Sequence, residues 1–155
     1  MRTILGLALL LAIVGTAAAS DSPLFRRADG SAIVFPGAVR AWCDPKNLNV
    51  VSLGRIRDSR WQLEVARTIM QPGRVVQFSW RRASGIGIFV FDAKTHNEVS
   101  EGAEGSRGVA TLRRATCRRG GTLEIALSAT IASEFFDGKP VRVSGAFRGT
   151  VGSPP

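Results

Sequence analysis

Leu123-Glu124-Ile125-Ala126-Leu127-Ser128-Ala129-Thr130-Ile131 is the stretch whose reading decides the fold. Its apolar side chains fall on alternate positions, giving the cleanest alternation in the chain. Successive side chains of an extended backbone point to opposite faces, so this pattern makes a strand with one face on a core. Gly120-Gly121 precedes it as a break, and Asp137-Gly138 marks a turn after it. Beyond that turn Val141, Val143, Gly145 and Phe147 alternate with Arg142, Ser144, Ala146 and Arg148, a second strand of the same kind.

Working outward, the rest of the chain reads as short apolar runs broken by turn residues. Residues 31–35 and 38–43 flank Pro36-Gly37, Asp44-Pro45 closes the second run, and 48–53 is a further candidate. Trp61, Leu63, Val65 and Ile69 alternate with Gln62, Glu64, Ala66 and Thr68, although Arg67 breaks the pattern. A strand is the favoured reading of 59–70. Ser59 with Gln62 also suits a capping box, and Met70-Gln71-Pro72 also suits a helix end, so a helix stays open there. Pro72-Gly73 fits the centre of a type II turn. Val76, Phe78 and Trp80 then alternate. Residues 86–91 are almost continuously apolar, which predicts a central strand covered on both faces. Residues 92–108 are polar and glycine-rich and read as a solvated loop or weak hairpin; 109–117 resume as a strand. The connections are too short for crossover helices, which argues against parallel units. The fold expected is all-β: an antiparallel β-sandwich of about eight or nine short strands.

The N-terminus carries a different signal. Arg2 is followed by an apolar run from Ile4 to Val14 and by the small residues Thr16-Ala17-Ala18-Ala19. That is the pattern of a cleavable signal peptide cut after Ala19. The run gives way to small residues short of the roughly 20 bulky apolar positions of a membrane span. The reading therefore divides the chain into a signal peptide (1–19), a flexible leader (20–30), a single β-sandwich domain (31–151) and a disordered tail (152–155). No transmembrane segment is expected in the mature chain, and the expected location is exported, periplasmic or secreted.

Removing 19 of the 155 residues leaves enough chain for one domain with a hydrophobic core. The net charge of +9 falls to +8 with the loss of Arg2, and the chain has no tyrosine. Arginine supplies nearly all of the basic charge. Such a balance is an argument about solubility and non-specific contacts, not about fold. Cys43 and Cys117 are the only cysteines. In an oxidising compartment the pair reads as a disulfide. Without C-x-x-C spacing it does not read as a redox site.

Catalytic patterns are weak. His96, the single histidine, lies in Lys94-Thr95-His96-Asn97-Glu98, a segment of turn character with no nucleophile motif beside it. Gly105-Ser106-Arg107-Gly108 lacks the glycine at position 104 that a G-x-S-x-G elbow needs, since Glu104 stands there. Zinc ligands are too few. Glu98, Glu101 and Glu104 lack calcium-loop spacing and read as a solvated loop. Glu64 and Glu124 lie in expected strands and are the carboxylates a glycoside hydrolase would have to use. Trp42, Trp61 and Trp80 read as core, with Trp61 and Trp80 on inward faces.

The arginines carry more weight. Arg55, Arg57 and Arg60 precede Trp61. Arg81 and Arg82 follow Trp80, while Arg113, Arg114, Arg118 and Arg119 bracket Cys117. Forked guanidinium groups beside aromatic rings suit phosphate, sulfate or nucleic acid. Against a patch, adjacent strand residues such as Arg113 and Arg114 should point to opposite faces. The function expected is a non-enzymatic exported module acting by surface binding, with no cofactor and no catalytic or metal site. The alternatives are a binder of anionic polymers or lipid headgroups through Arg81, Arg82, Arg113, Arg114, Arg118 and Arg119, and a hydrolase using strand carboxylates. The partner expected is another envelope protein or an anionic polymer.

Overall fold

The computed structural model of the protein describes residues 23–35, 40–43, 52–56 and 59–153. The signal peptide, Pro36-Gly37, Asp44-Pro45, Arg57 and residues 154–155 lie outside the described residues. Eleven strands and one short 3-10 turn, Arg67–Ile69, are present among them. The strands are β1 (Leu24–Arg26), β2 (Ala32–Ile33), β3 (Ala41–Trp42), β4 (Ser52–Ile56), β5 (Ser59–Val65) and β6 (Arg74–Ser79). There follow β7 (Ile86–Asp92), β8 (Asn97–Ser100), β9 (Arg107–Arg114), β10 (Thr122–Ser133) and β11 (Val141–Gly152).

They join into one curled, half-barrel sheet ordered β2-β1-β11-β10-β8-β7-β5-β4, with β9 on β10, β6 on β9 and β3 on β11. Every pairing is antiparallel except that of β3, which runs parallel to the end of β11. The decisive stretch forms β10, which pairs with β11 from Thr122↔Thr150 to Ile131↔Val141. Its other edge is forked. Residues 124–130 face β9, whereas Ala132 and Ser133 pair with Ser100 and Val99 of β8. Ser106 sits at the fork and is buried. Its hydroxyl donates to the Ser100 carbonyl at 2.7 Å and accepts from the Ala132 amide at 2.7 Å. That satisfies two polar groups at the point where one strand hands over to the other.

The core follows the alternation. Leu123, Ile125, Leu127 and Ile131 of β10 are buried, as are Trp61, Leu63 and Val65 of β5. Trp61 packs edge-on against Phe147 at 4.9 Å between centroids and lies 5.6 Å from Phe25. β5 is not a neighbour of β11 or β1 in the sheet, so these rings join the two arms of the curl across one core. Gly145, opposite Leu127, has a φ of 114°, a conformation that side chains with a Cβ avoid.

Five expectations change. Eleven strands stand where eight or nine were expected, and they join in one curled sheet, not in two separate ones, because β10 and β11 are each 12 residues long and bend across both arms. Residues 20–30, read as a leader, contain β1, and Phe25 is 1% exposed because it completes the aromatic cluster. Trp80 lies just past the end of β6, is 37% exposed and carries Arg81 4.6 Å above its ring; the alternation ran past the strand that carried it. In 86–91 only Ile86, Ile88 and Val90 are buried. Phe89 and Phe91 face outward and are covered by the Arg60 guanidinium, 5.5 and 5.9 Å from their rings, in place of a second layer. The helix alternative for 59–70 shrinks to the 3-10 turn that starts at Arg67, where the alternation breaks.

Candidate anion-binding face

Directly opposed residues in an antiparallel sheet share a face. Arg26 of β1 is opposite Arg142 of β11, Arg142 is opposite Thr130 of β10, and Thr130 is opposite Arg107 of β9. Arg26, Arg142 and Arg107 are all exposed, while the adjacent Phe25 and Val143 point into the core. Four strands thus set three guanidinium groups and one hydroxyl in a single lateral row. At roughly 4.8 Å between strands the row spans about 14 Å. The parallel row two residues along contributes Ser144 and Ser128.

The two rows line a shallow cleft of about 700 Å3, whose lining includes Arg26, Arg107, Ser128, Thr130, Arg142 and Ser144 and no carboxylate. Arg26 donates from Nη1 to the Gly30 carbonyl at 3.0 Å. The ion pairs among the described residues use neither Arg107 nor Arg142. Like charges placed directly across a strand pair are destabilising, by a few tenths to about 1 kcal/mol. Such a row is offset best by an anion that accepts forked hydrogen bonds.

Its orientation comes from the next residue. Arg27 turns inward and holds Asp92, with Nε 2.5 Å from Oδ2 and Nη2 3.1 Å from Oδ1. Thr95 Oγ1 donates to Oδ2 of the same carboxylate at 2.8 Å. Burial pushes the Asp92 carboxyl up, but the hydrogen bonds from Arg27 and Thr95 outweigh it and hold the group below the usual carboxylate range. The pair ties the β1–β2 turn to the end of β7, leaving Arg26 on the outer face.

The arginines singled out from the sequence divide into two sets. Arg82 forms an isolated bridge with Ser79, which is opposite Arg107, so it stands at the Arg107 end of the sheet, with Arg81 stacked on Trp80 nearby. Arg113 and Arg114 are six or seven residues further along β9, roughly 20 Å away at 3.3 Å per residue. The pairing shifts there from Ile125↔Leu112 to Glu124↔Arg114, which makes a bulge. A bulge cancels alternation locally. Both arginines are therefore exposed and both reach Glu124, at 3.3 and 3.8 Å. Arg118 and Arg119 are exposed in the β9–β10 connection. Cys43 and Cys117 form the disulfide beside them. Arg55 is described in backbone only.

The other candidates find separate places. Glu124 is taken by those arginines, while Glu64 accepts from Gln62 Nε2 on the other arm of the sheet. Glu64 shares a cleft of about 380 Å3 with Glu101, Trp80 and Arg82, but the Glu101 Oε2 is held by the Ile88 amide at 2.8 Å. His96 is exposed in the β7–β8 turn with a φ of 54°, beside a cleft of about 630 Å3 that also holds Asp29, Phe135, Asp137 and Lys139. Ser106 is consumed by the fork. No group of three His, Cys, Asp or Glu able to hold a metal occurs among the described residues. No helix among them is long and apolar enough to cross a membrane.

No protein-family model, curated protein or solved structure matches the chain.

Proposed function

We propose that the protein is an exported, non-enzymatic β-sheet module that binds a ligand bearing phosphate, sulfate or carboxylate groups through Arg26, Arg107 and Arg142. One observation carries the reading: three guanidinium groups share a lateral row lined with Ser128, Thr130 and Ser144 and without a lining carboxylate. Thr130 and the two serines supply donors for the oxygens that the arginines leave unfilled. The face is shallow and open, which suits a repeating or extended anion more than a small enclosed one. The disulfide and the signal-peptide pattern of residues 1–19 favour an oxidising compartment outside the cytoplasm.

The test is a heparin column run in a salt gradient. The variant R26S/R107S/R142S should elute at clearly lower salt than the native protein. R113S/R114S/R118S/R119S removes more charge but should elute higher than that triple variant. If the quadruple variant elutes earlier, retention follows net charge and the reading fails.

A further inference from the structure

We propose, resting on the reading above, that the anion is the headgroup layer of an anionic lipid bilayer, and that Phe135 and Phe136 enter that layer beside the arginine row. Phe135 is 55% exposed and Phe136 fully so. They stand in the connection Glu134-Phe135-Phe136-Asp137-Gly138-Lys139-Pro140 between β10 and β11. Two adjacent, exposed phenylalanines at a loop tip form a contiguous apolar feature of the kind that marks interaction sites.

The tip is held from below. The Glu134 amide donates to the Glu98 carbonyl at 3.0 Å. The Phe135 amide donates to Ser133 Oγ at 3.2 Å, and Asn97 Nδ2 donates to the Lys139 carbonyl at 2.7 Å. Both ends of the loop are thus anchored on β8 and its turn, so the rings project from a braced base.

The tip and the row occupy the same end of the sheet. Arg142 is the second residue of β11, directly after the loop. The β1–β2 turn lies between the two clefts: Arg26 and Gly30 line the one with the arginine row, and Arg27, Ala28 and Asp29 line the one with Phe135. Arg27 is spent on Asp92, so the lining charges left for a ligand are Arg26, Arg107, Lys139 and Arg142 against Asp29 and Asp137, a formal +2. The phenylalanines stand between Glu134 and Asp137, while the neighbouring arginine row has no lining carboxylate. Apolar side chains beside such a basic face are a combination that binds a negatively charged bilayer surface, each nearby Lys or Arg adding about fivefold. A soluble polyanion would use the arginines but would have no use for the rings, so the phenylalanines favour the bilayer.

The experiment is co-sedimentation of the disulfide-bonded protein with vesicles of equimolar phosphatidylglycerol and phosphatidylcholine, beside vesicles of phosphatidylcholine alone, with the heparin column run in parallel. The native protein should sediment with the anionic vesicles only. F135S/F136S should lose about tenfold or more in vesicle affinity while keeping its heparin retention, because the lost burial concerns the rings alone. R26S/R107S/R142S should lose both. Native heparin retention without vesicle binding overturns the bilayer and leaves the anion-binding face standing. Loss of neither activity in the triple arginine variant overturns the face itself. Vesicle binding by F135S/F136S equal to native also overturns the bilayer reading. So does a native dimer that this variant converts to monomer, since a second copy would then cover the rings.

Discussion

Arg26 and Arg27 are consecutive and chemically identical, yet one faces solvent over the cleft and the other closes on a carboxylate that is 2% exposed. Nothing near them in sequence separates the two roles. The partner that captures Arg27 is Asp92, 65 residues away in a segment of polar composition. A buried carboxylate cannot be told from a solvated one by composition alone. The Asp92 carboxyl lies below its usual value, so its ionised form stabilises the fold. That contribution is present above the unfolded value of about 3.9 and is lost as pH falls through the lower folded value. D92N should cost about 3 kcal/mol at neutral pH, because it leaves a largely buried guanidinium without its counter-charge. The stability gap between native protein and D92N should stay level from pH 7 to about 5 and narrow below about pH 4. Urea midpoints across that range check it; a gap that does not depend on pH would assign the loss to packing.

At the scale of elements, strong alternation was legible and weak alternation was not. β10, β11, β5 and most of β6 follow directly from period-two patterns, because each has a buried face long enough to show one. β1 is three residues long, too short to carry a period, whereas β2 and β3 fall inside the apolar runs at 31–35 and 38–43. The bulge in β9 left no mark in the sequence, and it alone lets Arg113 and Arg114 reach the same carboxylate. The two-way edge of β10 depends on Ser106, whose meaning lies in a hydrogen-bond position and not in a motif.

The expected pairing of Cys43 with Cys117 holds, and its element-level role is now defined. It ties the residue after β3, itself paired to the end of β11, to the β9–β10 connection, across a separation of 74 residues. For a loop of that size the chain-entropy model gives roughly 4–5 kcal/mol. In a chain of this length C43S should therefore lower the melting temperature by about 10 °C or more. Calorimetry with and without reductant checks it: the native protein should fall towards C43S when reduced. Equal melting temperatures would show that β3 is held by its strand pairing alone.

For the whole molecule, the all-β, antiparallel character was legible, and the candidate binding face was not. Doublets such as Arg113-Arg114 and Arg118-Arg119 draw the eye because they are adjacent along the chain. A sheet, however, assembles a site laterally. Arg26, Arg107, Thr130 and Arg142 come from four strands and are neighbours only through register, which the sequence states nowhere. The cleft beside Phe135 and the cleft of the arginine row are likewise neighbours only through the β1–β2 turn, which lines both.

The most direct measurement is an amide chemical-shift titration of the disulfide-bonded protein with pyrophosphate, a probe that needs neither polymer nor membrane. Saturable shifts should centre on Arg26, Arg107, Ser128, Thr130, Arg142 and Ser144, and R26S/R107S/R142S should abolish them. Shifts centred on Arg113, Arg114, Arg118 and Arg119, or shifts spread evenly over all arginines without saturation, would contradict a built anion-binding face.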